Sequence, residues 1–528
     1  MNYVPLPRLL HDGLSLSTLK LPTKVAAVVE GHSYTYQELD SASDKVGQWL
    51  IENSVVRGDR IAVYMDNTWP CIVGIFAILK VGAVFVVVNP QTKYEKLRYV
   101  LDDCEAKAML TDSHLGNVIG DALKVPSEYL KAVLFSGEKS LPLEETNGLV
   151  ISRFEAVLDS HCDIHVQCPA VANDLAALIY TSGSTGNPKG VMQTHQSMIF
   201  ALNSILEYLR LDENDRILNV LPLAFDYGLY QLLMSVWLGA TLVLERSFTY
   251  PAQILNRIDE QKVTVFPGVP TIYSMLMAQY ARNKFSIDSV TRVTNTAAAL
   301  PKLWLEDLKK IFPNALIFKM YGLTECKRTC YLEPELLETH GDSVGKAIPG
   351  TEVYLRSPDG QRLGKGSEGI LHVRGPHLML GYWKQQEKTA EMLVPGEIAG
   401  QFDLCTHDWF RMDEEGFLYF LARTDDIIKS RGEKVSPLEV EKVLLGIDGV
   451  REAAVIGVPD PILGQAIKAY ISLDESKRES FKEGYYKKVC MSQLENYMVP
   501  KFITPIDQMP KSQNGKIDKK VLLAMESL

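Results

Sequence analysis

The sequence predicts an α/β fold, with a large N-terminal α/β domain and a smaller C-terminal α+β domain. Two observations lead to this prediction. In the first half, short apolar runs typical of buried strands alternate with longer amphipathic segments, for example at residues 60–64, 83–88 and 240–244. The chain also has 528 residues, more than one hydrophobic core normally holds, so we expect at least two domains.

Individual segments support this arrangement. Residues 71–88 are the most apolar stretch, but Lys80 and Gly82 interrupt it, so a helix, a turn and a buried strand are expected rather than a membrane span. Residues 416–421 and 453–458 are predicted strands. A helix is expected to start at Ser436, because Ser436 is a good capping residue, Pro437 follows at the first helical position, and Glu439 stands three residues after the cap.

The domain boundary is predicted near residues 423–426, between the strand at 416–421 and the C-terminal elements. The predicted domains are therefore residues 1–423 and residues 424–528. The second unit has about 100 residues, which is enough for a small α+β domain.

Composition excludes several classes of function. The formal net charge is −10 and no long basic run is present, so nucleic acid is not an expected partner. The N-terminus has no apolar secretory segment behind basic residues, and no transmembrane segment is predicted, so we expect a cytoplasmic protein. Eight cysteines in a chain of this length do not indicate a disulfide scaffold.

The most informative run follows the predicted strand at residues 176–180 and is Thr181-Ser182-Gly183-Ser184-Thr185-Gly186-Asn187-Pro188-Lys189-Gly190. Small residues allow close approach of the backbone to a polyanion, hydroxyls and freed N–H groups donate to phosphate oxygens, and the lysine adds positive charge. The run differs from the Walker P-loop, because Pro188 precedes the lysine and Gly190 follows it. It predicts a phosphate-binding loop of another kind.

This run closely resembles the phosphate-binding loop of the AMP-forming ligases, which include acyl- and aryl-CoA synthetases, firefly luciferase and the adenylation domains of nonribosomal peptide synthetases. Similar motifs recur in the family's order from about Tyr34 to Leu522. The resemblance implies an enzyme that adenylates a carboxylic acid with ATP and Mg²⁺. It further implies transfer of the acyl group to CoA or to the phosphopantetheine of a carrier protein, and a mobile C-terminal lid.

The resemblance also assigns nucleotide-binding roles. In Tyr321-Gly322-Leu323-Thr324-Glu325, the tyrosine would pack on adenine, Thr324 would contact the α-phosphate, and Glu325 would hold the magnesium ion. Asp408 would accept the ribose hydroxyls, although His407 stands where the family usually has glycine, and Arg423 would assist at the ribose and phosphate. The predicted phosphate cradle consists of Thr181, Ser182, Gly183, Ser184, Thr185 and Lys189.

Three more residues receive roles in the C-terminal domain. Lys516, in the turn Asn514-Gly515-Lys516, matches the family's catalytic lysine, which stabilises charge at the α-phosphate and carboxylate during adenylation. Asp425 would be the hinge. After the lid turns, Gly432 would leave room for the pantetheine arm.

The acyl pocket is less well determined. The segment around Phe225, Asp226, Tyr227 and Tyr230 matches one wall of the family's pocket, and Arg328 is expected to face it. In amino-acid adenylation domains an aspartate at this point pairs with the substrate ammonium, so Asp226 favours a small amino or imino acid. Alternatively, Arg328 neutralises Asp226 in an ordinary buried pair. The tyrosines add bulk and indicate a small substrate.

These observations leave three functional hypotheses. The first is a free-standing ligase that loads an amino acid onto a separate carrier protein, since no carrier segment follows Leu528. The second is an acyl-CoA ligase for a small or aromatic acid. The third, a non-catalytic nucleotide-binding homologue, is disfavoured because Lys189, Glu325, Asp408 and Lys516 are all present.

Overall fold

The computed structural model describes residues 7–124, 127–141, 148–160, 164–181, 188–296, 300–423, 426–430, 433–460, 463–494, 496–512 and 515–526. The described strands form four sheets, two of them large and two of five strands. The two large sheets and one five-stranded sheet lie in the N-terminal part of the chain, and the other five-stranded sheet lies in the C-terminal part.

The first sheet has nine strands, of which six in succession are parallel. In spatial order its strands are Lys346–Ala347, Cys330–Leu332, Leu316–Tyr321, Arg292–Asn295, Val265–Gly268, Arg216–Asn219, Thr241–Leu244, Val25–Val29 and His32–Thr35.

The second sheet has eight strands and again contains six parallel neighbours. In spatial order its strands are Gly381–Tyr382, Lys189–Thr194, Leu175–Thr181, Val84–Val88, Arg60–Tyr64, Ala106–Asp112, Ala132–Ser136 and Val150–Arg153. Parallel sheets need crossover helices and are covered on both faces, so these two sheets account for the α/β class that the sequence predicts.

The third sheet is antiparallel, and its strands are Glu352–Arg356, Glu368–Arg374, Leu393–Pro395, Phe402–Met412 and Leu418–Arg423. In the chain, the strand Gly381–Tyr382 of the second sheet lies between two of them. The C-terminal sheet is mixed; its strands are Ile428–Ser430, Glu433–Val435, Val450–Asp460, Gly464–Leu473 and Phe502–Pro505.

Helices connect and cover these sheets. The described α-helices are Asp12–Lys20, Tyr36–Glu52, Trp69–Lys80, Tyr94–Asp103, Gly116–Leu123, Phe154–Ser160, His195–Leu209, Asp226–Leu238, Pro251–Glu260, Pro270–Arg282, Leu305–Ile311, Gln386–Met392, Pro437–Leu445, Glu475–Arg478, Glu483–Gln493 and Lys519–Met525. Short 3₁₀ helices occupy Ser113–Leu115, Lys302–Trp304 and Pro334–Leu336.

The largest buried apolar cluster joins strands of both large sheets through the helices Tyr36–Glu52 and Trp69–Lys80. The second of these helices is buried along nearly its whole length. A separate apolar cluster lies between the C-terminal sheet and its helices. The C-terminal part of the chain therefore has its own core, as an independent domain requires.

The predicted elements are present in the described residues, with one correction. The strand at 416–421 is observed as Leu418–Arg423, and the strand at 453–458 lies within Val450–Asp460. The helix after Ser436 starts at Pro437, but the Ser436 hydroxyl makes no capping hydrogen bond and donates instead to the carbonyl of Leu421. A tertiary acceptor replaces the helix backbone as its partner.

Candidate active site

The predicted phosphate loop joins two antiparallel strands. Thr181 ends the strand Leu175–Thr181 and lies opposite Lys189, the first residue of the strand Lys189–Thr194. Ser182, Gly183, Ser184 and Thr185 lie outside the described residues. The structure thus brings together Thr181 and Lys189, the two ends of the predicted cradle, at the carboxyl end of a strand in a largely parallel sheet, where α/β folds place their ligand sites.

A tyrosine that the sequence analysis did not select connects the lysine of this loop to the predicted magnesium ligand. The Lys189 Nζ lies 4.9 Å from the ring centroid of Tyr382. The Tyr382 hydroxyl donates to Glu325 Oε1 at 2.6 Å. Its strand, Gly381–Tyr382, pairs with the strand that begins at Lys189. The only sequence sign of this role is the short aromatic pair Tyr382-Trp383, which has no special spacing.

The second nucleotide motif follows the strand Leu316–Tyr321 directly. Gln193 Nε2 donates to the Thr324 carbonyl at 3.0 Å, which ties this loop to the second sheet. A Cβ at Gly322 would lie 2.2 Å from the Lys327 carbonyl oxygen, so a side chain at this position would force the loop apart. Tyr321, Thr324 and Glu325 are therefore held at the edge where the two large sheets meet.

Asp408 is 3% exposed and lies in the strand Phe402–Met412 of the third sheet. Its Oδ2 accepts a hydrogen bond from the Tyr321 hydroxyl at 2.5 Å, and its Oδ1 is 3.6 Å from Arg423 Nε. Burial raises the pKa of Asp408 to about 6, although Arg423, Tyr321 and Lys516 act in the opposite direction. The predicted ribose ligand is thus an anion at neutral pH, and it contacts both predicted neighbours.

Burial, followed by the nearby Asp408, raises the pKa of Tyr321, so its hydroxyl remains a hydrogen-bond donor. The Tyr321 ring packs edge-on against Phe410, with 4.9 Å between ring centroids, and lies 6.0 Å from Phe420. These contacts fix the ring whose other neighbour is predicted to be adenine.

His407 takes the backbone conformation that the family's glycine would be expected to supply. Its φ is +55°, in the left-handed region that disfavours side chains. The Asp408 amide donates to Thr406 Oγ1 at 3.1 Å, and the Thr406 hydroxyl donates to the Leu371 carbonyl. With histidine at this position, the Asp408 carboxylate is still buried.

Lys516 lies in a tight turn of the C-terminal domain. The Ser512 amide donates to the Lys516 carbonyl at 2.7 Å, and Gly515 has a φ of +74°. A Cβ at Gly515 would lie 3.1 Å from Thr271 Oγ1, so the turn contacts the first turn of the helix Pro270–Arg282. This contact places the predicted catalytic lysine against the large domain.

The electrostatic surroundings of Lys516 include two of the carboxylates of the site, Asp226 and Asp408. Lys516 is accessible to solvent, but protein crowds its ammonium; this crowding, followed by Arg423, lowers its pKa. Asp226 and Asp408 act on it in the opposite direction. The structure thus brings one lysine close to the predicted ribose site and to the predicted acyl pocket.

The residues predicted for the acyl pocket lie around the start of the helix Asp226–Leu238. Phe225 precedes the helix, and its ring meets that of Tyr227 edge-on at 6.3 Å. Tyr227 and Tyr230 are almost fully buried. The Tyr227 hydroxyl donates to the Thr294 carbonyl at 2.8 Å. These tyrosines form a rigid wall, and Asp226 is 8% exposed beside them.

The alternative in which Arg328 neutralises Asp226 is not what the structure shows. The cation next to Asp226 is Lys327, whose Nζ is 3.6 Å from Asp226 Oδ2. Arg328 lies instead over the Tyr227 ring, 4.9 Å from its centroid, and its Nη1 donates to the Lys327 carbonyl at 3.0 Å. The two cations are adjacent in sequence, so the sequence did not reveal which one faces the carboxylate.

Lys327 is 2% exposed, and its backbone is left-handed, with a φ of +62°. Its Nζ lies 4.6 Å from the ring centroid of Tyr230 and has no hydrogen-bond partner among the described residues. Burial lowers its pKa to about 8, although Asp226 opposes the shift. Arg328 lies against Tyr227 of the predicted pocket wall, and Lys327, which the sequence analysis did not select, lies beside Asp226 in the same group.

Two regions with predicted roles cannot be placed. Asp425, the expected hinge, and Gly432, the expected pantetheine channel, lie outside the described residues. Nowhere in the part of the chain that the structure describes is a helix both long and apolar enough to cross a bilayer.

Comparisons with known proteins give a consistent result. A family model described as AMP-binding enzyme matches residues 17–383, and one described as AMP-binding enzyme C-terminal domain matches residues 439–516. The chain is 28% identical to the long-chain-fatty-acid–CoA ligase of Bacillus subtilis (strain 168), over 99% of this chain and 96% of that protein.

Two further similarities extend the range of chemistry. The chain is 29% identical to tyrocidine synthase 1 of Brevibacillus parabrevis, over 95% of this chain but only 43% of that protein. A solved structure of o-succinylbenzoate coenzyme A synthetase from Bacillus subtilis, in complex with ATP and magnesium ion, has a TM-score of 0.81 and 26% identity. That match covers 96% of this chain and 98% of the other.

Proposed function

The chain belongs to the family of AMP-binding enzymes, and we propose that it is an ATP-dependent ligase that joins a small carboxylic acid to the thiol of CoA. Family membership agrees with the resemblance found in the sequence. The choice of CoA is supported by the similar fatty-acid–CoA ligase and o-succinylbenzoate coenzyme A synthetase, which match this chain over nearly their full lengths.

One observation carries the choice of substrate class. Asp226, which in the amino-acid hypothesis awaits a substrate ammonium, already has the buried ammonium of Lys327 beside it at 3.6 Å. A second ammonium at Asp226 would have to enter a site that already holds two buried cations, at a high electrostatic cost. The pocket is therefore better suited to an acid without an amino group.

In the first half-reaction, the substrate carboxylate attacks the α-phosphate of ATP and pyrophosphate leaves. Thr181 and Lys189 would bind the outer phosphates, and Asp408 would accept the ribose hydroxyls. Lys516 would stabilise the negative charge that builds up between carboxylate and α-phosphate, which is the largest single contribution in such sites.

Glu325 fits the role of a magnesium ligand. Its carboxylate is a hard donor, and the hydrogen bond from Tyr382 orients it through Oε1. When bound, Mg²⁺ neutralises phosphate charge and supports departure of pyrophosphate. Tyr382 acts through this orientation, and the cation–π contact with Lys189 places the lysine on the same ring.

The second candidate function is transfer of an amino acid to a carrier protein. Phe225-Asp226 at the head of the pocket helix and the similarity to tyrocidine synthase 1 favour it. The pairing of Asp226 with Lys327 argues against it. The third, non-catalytic hypothesis is opposed by the presence of every predicted nucleotide-binding and catalytic residue.

An acid-dependent pyrophosphate-exchange screen tests the proposal. We expect exchange with small or aromatic acids and not with their α-amino analogues, followed by thioester formation on free CoA. Asp226→Asn should not improve the relative use of desamino acids, because Asp226 does not bind an ammonium. Exchange confined to amino acids, with acyl transfer only to a carrier protein, would establish the second candidate instead.

A further inference from the structure

The charges of the acyl pocket do not balance. Among the described residues, Asp226, Lys327 and Arg328 are each at most 8% exposed and lie around the same two tyrosine rings. Within 4 Å, the described structure pairs Asp226 with Lys327 and gives Arg328 no carboxylate. The pocket therefore holds two buried cations and one anion.

Two buried N–H donors in this group also lack acceptors in the described structure. Lys327 Nζ and Arg328 Nε are buried without a hydrogen-bond partner in the part of the chain that the structure describes. The 3.6 Å between Lys327 Nζ and Asp226 Oδ2 is too long for a good hydrogen bond. Buried donors without partners are rare in folded proteins and cost free energy, so each needs an explanation.

The backbone of Lys327 adopts an unfavourable conformation in this loop. Lys327 has a left-handed backbone, which an L-residue with a long side chain adopts only when its surroundings impose it. The loop presses against Gly322, where no Cβ fits. Lys327 follows Glu325 by two residues, so the same loop fixes both the proposed magnesium ligand and the cationic pair.

We infer that the pocket takes a dicarboxylic acid, and that Lys327 and Arg328 bind the carboxylate that is not activated. This inference rests on the proposed function and specifies its substrate. A second carboxylate would balance the remaining positive charge and accept hydrogen bonds from the unpartnered donors. Arginine and lysine at a buried site recognise carboxylates through charge-assisted hydrogen bonds, and a matched monoacid would leave both donors unsatisfied.

The test compares acids that differ only in the second carboxylate. Succinate with butyrate, glutarate with valerate, and phthalate with benzoate are assayed by pyrophosphate exchange with the full-length enzyme. We expect the best diacid to exceed its monoacid partner in kcat/KM by roughly 30-fold or more, the scale for an unpaired buried charge. Equal or greater activity with the monoacids would overturn this inference and leave the proposed function intact.

Variants locate the preference within the pocket. Arg328→Met should remove most of the diacid preference mainly through KM, while Arg328→Lys, which keeps the charge, should retain part of it. Arg246→Met is a matched control, because Arg246 is 53% exposed and pairs with Glu30 outside the pocket, and its selectivity should equal that of the wild type. An Arg328→Met enzyme with unchanged diacid preference would contradict the assignment.

The wild-type panel decides the matter even if Arg328→Met does not fold. Absence of exchange with every acid in the panel would count against the proposed function itself, and this inference would fall with it. Exchange only with α-amino acids would overturn the inference and support loading of a carrier protein. The inference would be supported if the wild type prefers diacids, Arg328→Met loses this preference and Arg328→Lys retains part of it.

Discussion

Two lysines are equally buried in this protein, but their surroundings differ. Lys80 is 1% exposed, and its Nζ lies 2.7 Å from Asp40 Oδ1, 2.9 Å from Asp44 Oδ1 and 2.8 Å from the Asp40 carbonyl. Lys327 is 2% exposed, has one carboxylate at 3.6 Å, and lacks a hydrogen-bond partner among the described residues.

We interpret this difference as that between a structural charge, Lys80, and a charge proposed to bind a ligand, Lys327. Lys80 has its three donors matched to three oxygens, which is what a permanent buried ammonium requires. The Lys327 ammonium has N–H donors without acceptors among the described residues, and it lies in the loop that also carries Glu325, the proposed magnesium ligand. We therefore interpret the incomplete satisfaction of the Lys327 charge, rather than its burial alone, as support for a ligand-binding role of this loop.

Lys80→Met should have the largest effect on stability. The change leaves Asp40 and Asp44 close together without a cation, and breaking a buried ion pair in this way costs about 3–5 kcal/mol of unfolding free energy. Urea unfolding followed by tryptophan fluorescence measures it. Lys442→Met is the control, because the exposed Lys442–Asp342 pair should contribute less than about 1 kcal/mol. Similar losses of unfolding free energy in Lys80→Met and Lys442→Met would contradict the structural role assigned to Lys80.

Lys516→Ala should have the largest effect on catalysis. This lysine lies on a surface turn, so we expect no measurable loss of stability, but adenylate formation should fall about 10²- to 10³-fold. Thioester formation from a supplied acyl-adenylate should continue, because the proposed role belongs to the first half-reaction. Rapid-quench measurement of the two half-reactions separates these effects, and an equal loss in both would rule out the assigned role.

Asp408→Asn should weaken ATP binding without lowering the stability of the nucleotide-free protein. The mutation should raise the KM for ATP by about 10-fold or more, because hydrogen bonds from the ribose to a charged acceptor are lost. Thermal unfolding of the nucleotide-free variant at pH 8 should occur at or above the temperature of the wild type. A lower unfolding temperature would show that Asp408 stabilises the fold and does not merely await nucleotide.

The pH dependence of the protein's stability at this site follows from the direction of the Asp408 pKa shift. The pKa of Asp408 is raised from 3.8 to about 6 in the folded protein, so the folded state binds more protons than the unfolded state between these values. The cost of the buried carboxylate is therefore fully present above pH 6 and disappears as the pH falls towards 4. This cost is at most about 3 kcal/mol of unfolding free energy. The stability that Asp408→Asn gains should therefore decrease as the pH falls from 6 to 4.

The double variant Asp226→Asn with Lys327→Met should have the smallest effect on stability. Removing both members of a buried pair leaves no uncompensated charge, and such replacements are often neutral, so we expect a change within about 1 kcal/mol. Lys327→Met alone should be less stable than the double variant. A large loss in the double variant, measured by urea unfolding, would mean that this pair is structural in the same way as Lys80 and its partners.

Sequence reasoning succeeded where the pattern is local. The alternation of apolar residues located the strands at 176–180 and 453–458. Motif order selected Glu325, Asp408 and Lys516, whose charges are close enough in the structure to act on one another, while their roles stay predictions. His407, which stands where the family usually has glycine, has a left-handed backbone, and Asp408 beside it is buried.

It failed where side-chain partners are set by tertiary structure. Lys327 and Arg328 are adjacent in sequence, and in the structure Lys327, whose backbone is left-handed, is the cation beside Asp226. Ser436 has the sequence of a helix cap, but the Leu421 carbonyl offers its hydroxyl a different acceptor. Tyr382 is 57 residues from Glu325, and nothing in the sequence indicates that the two are hydrogen-bonded.

The two phenols that donate to Asp408 and Glu325 give the enzyme an optical reporter of its own. Both hydroxyls donate to carboxylates that the proposed ribose and magnesium ion would also contact, so we expect nucleotide binding to weaken or replace the hydrogen bonds of Tyr321 and Tyr382. The near-ultraviolet absorption of a phenol shifts when its hydrogen bond to an anion is lost. A difference spectrum recorded during titration with ATP, compared for Tyr321→Phe and Tyr382→Phe, would then follow occupancy of the two ends of the nucleotide separately and without a label.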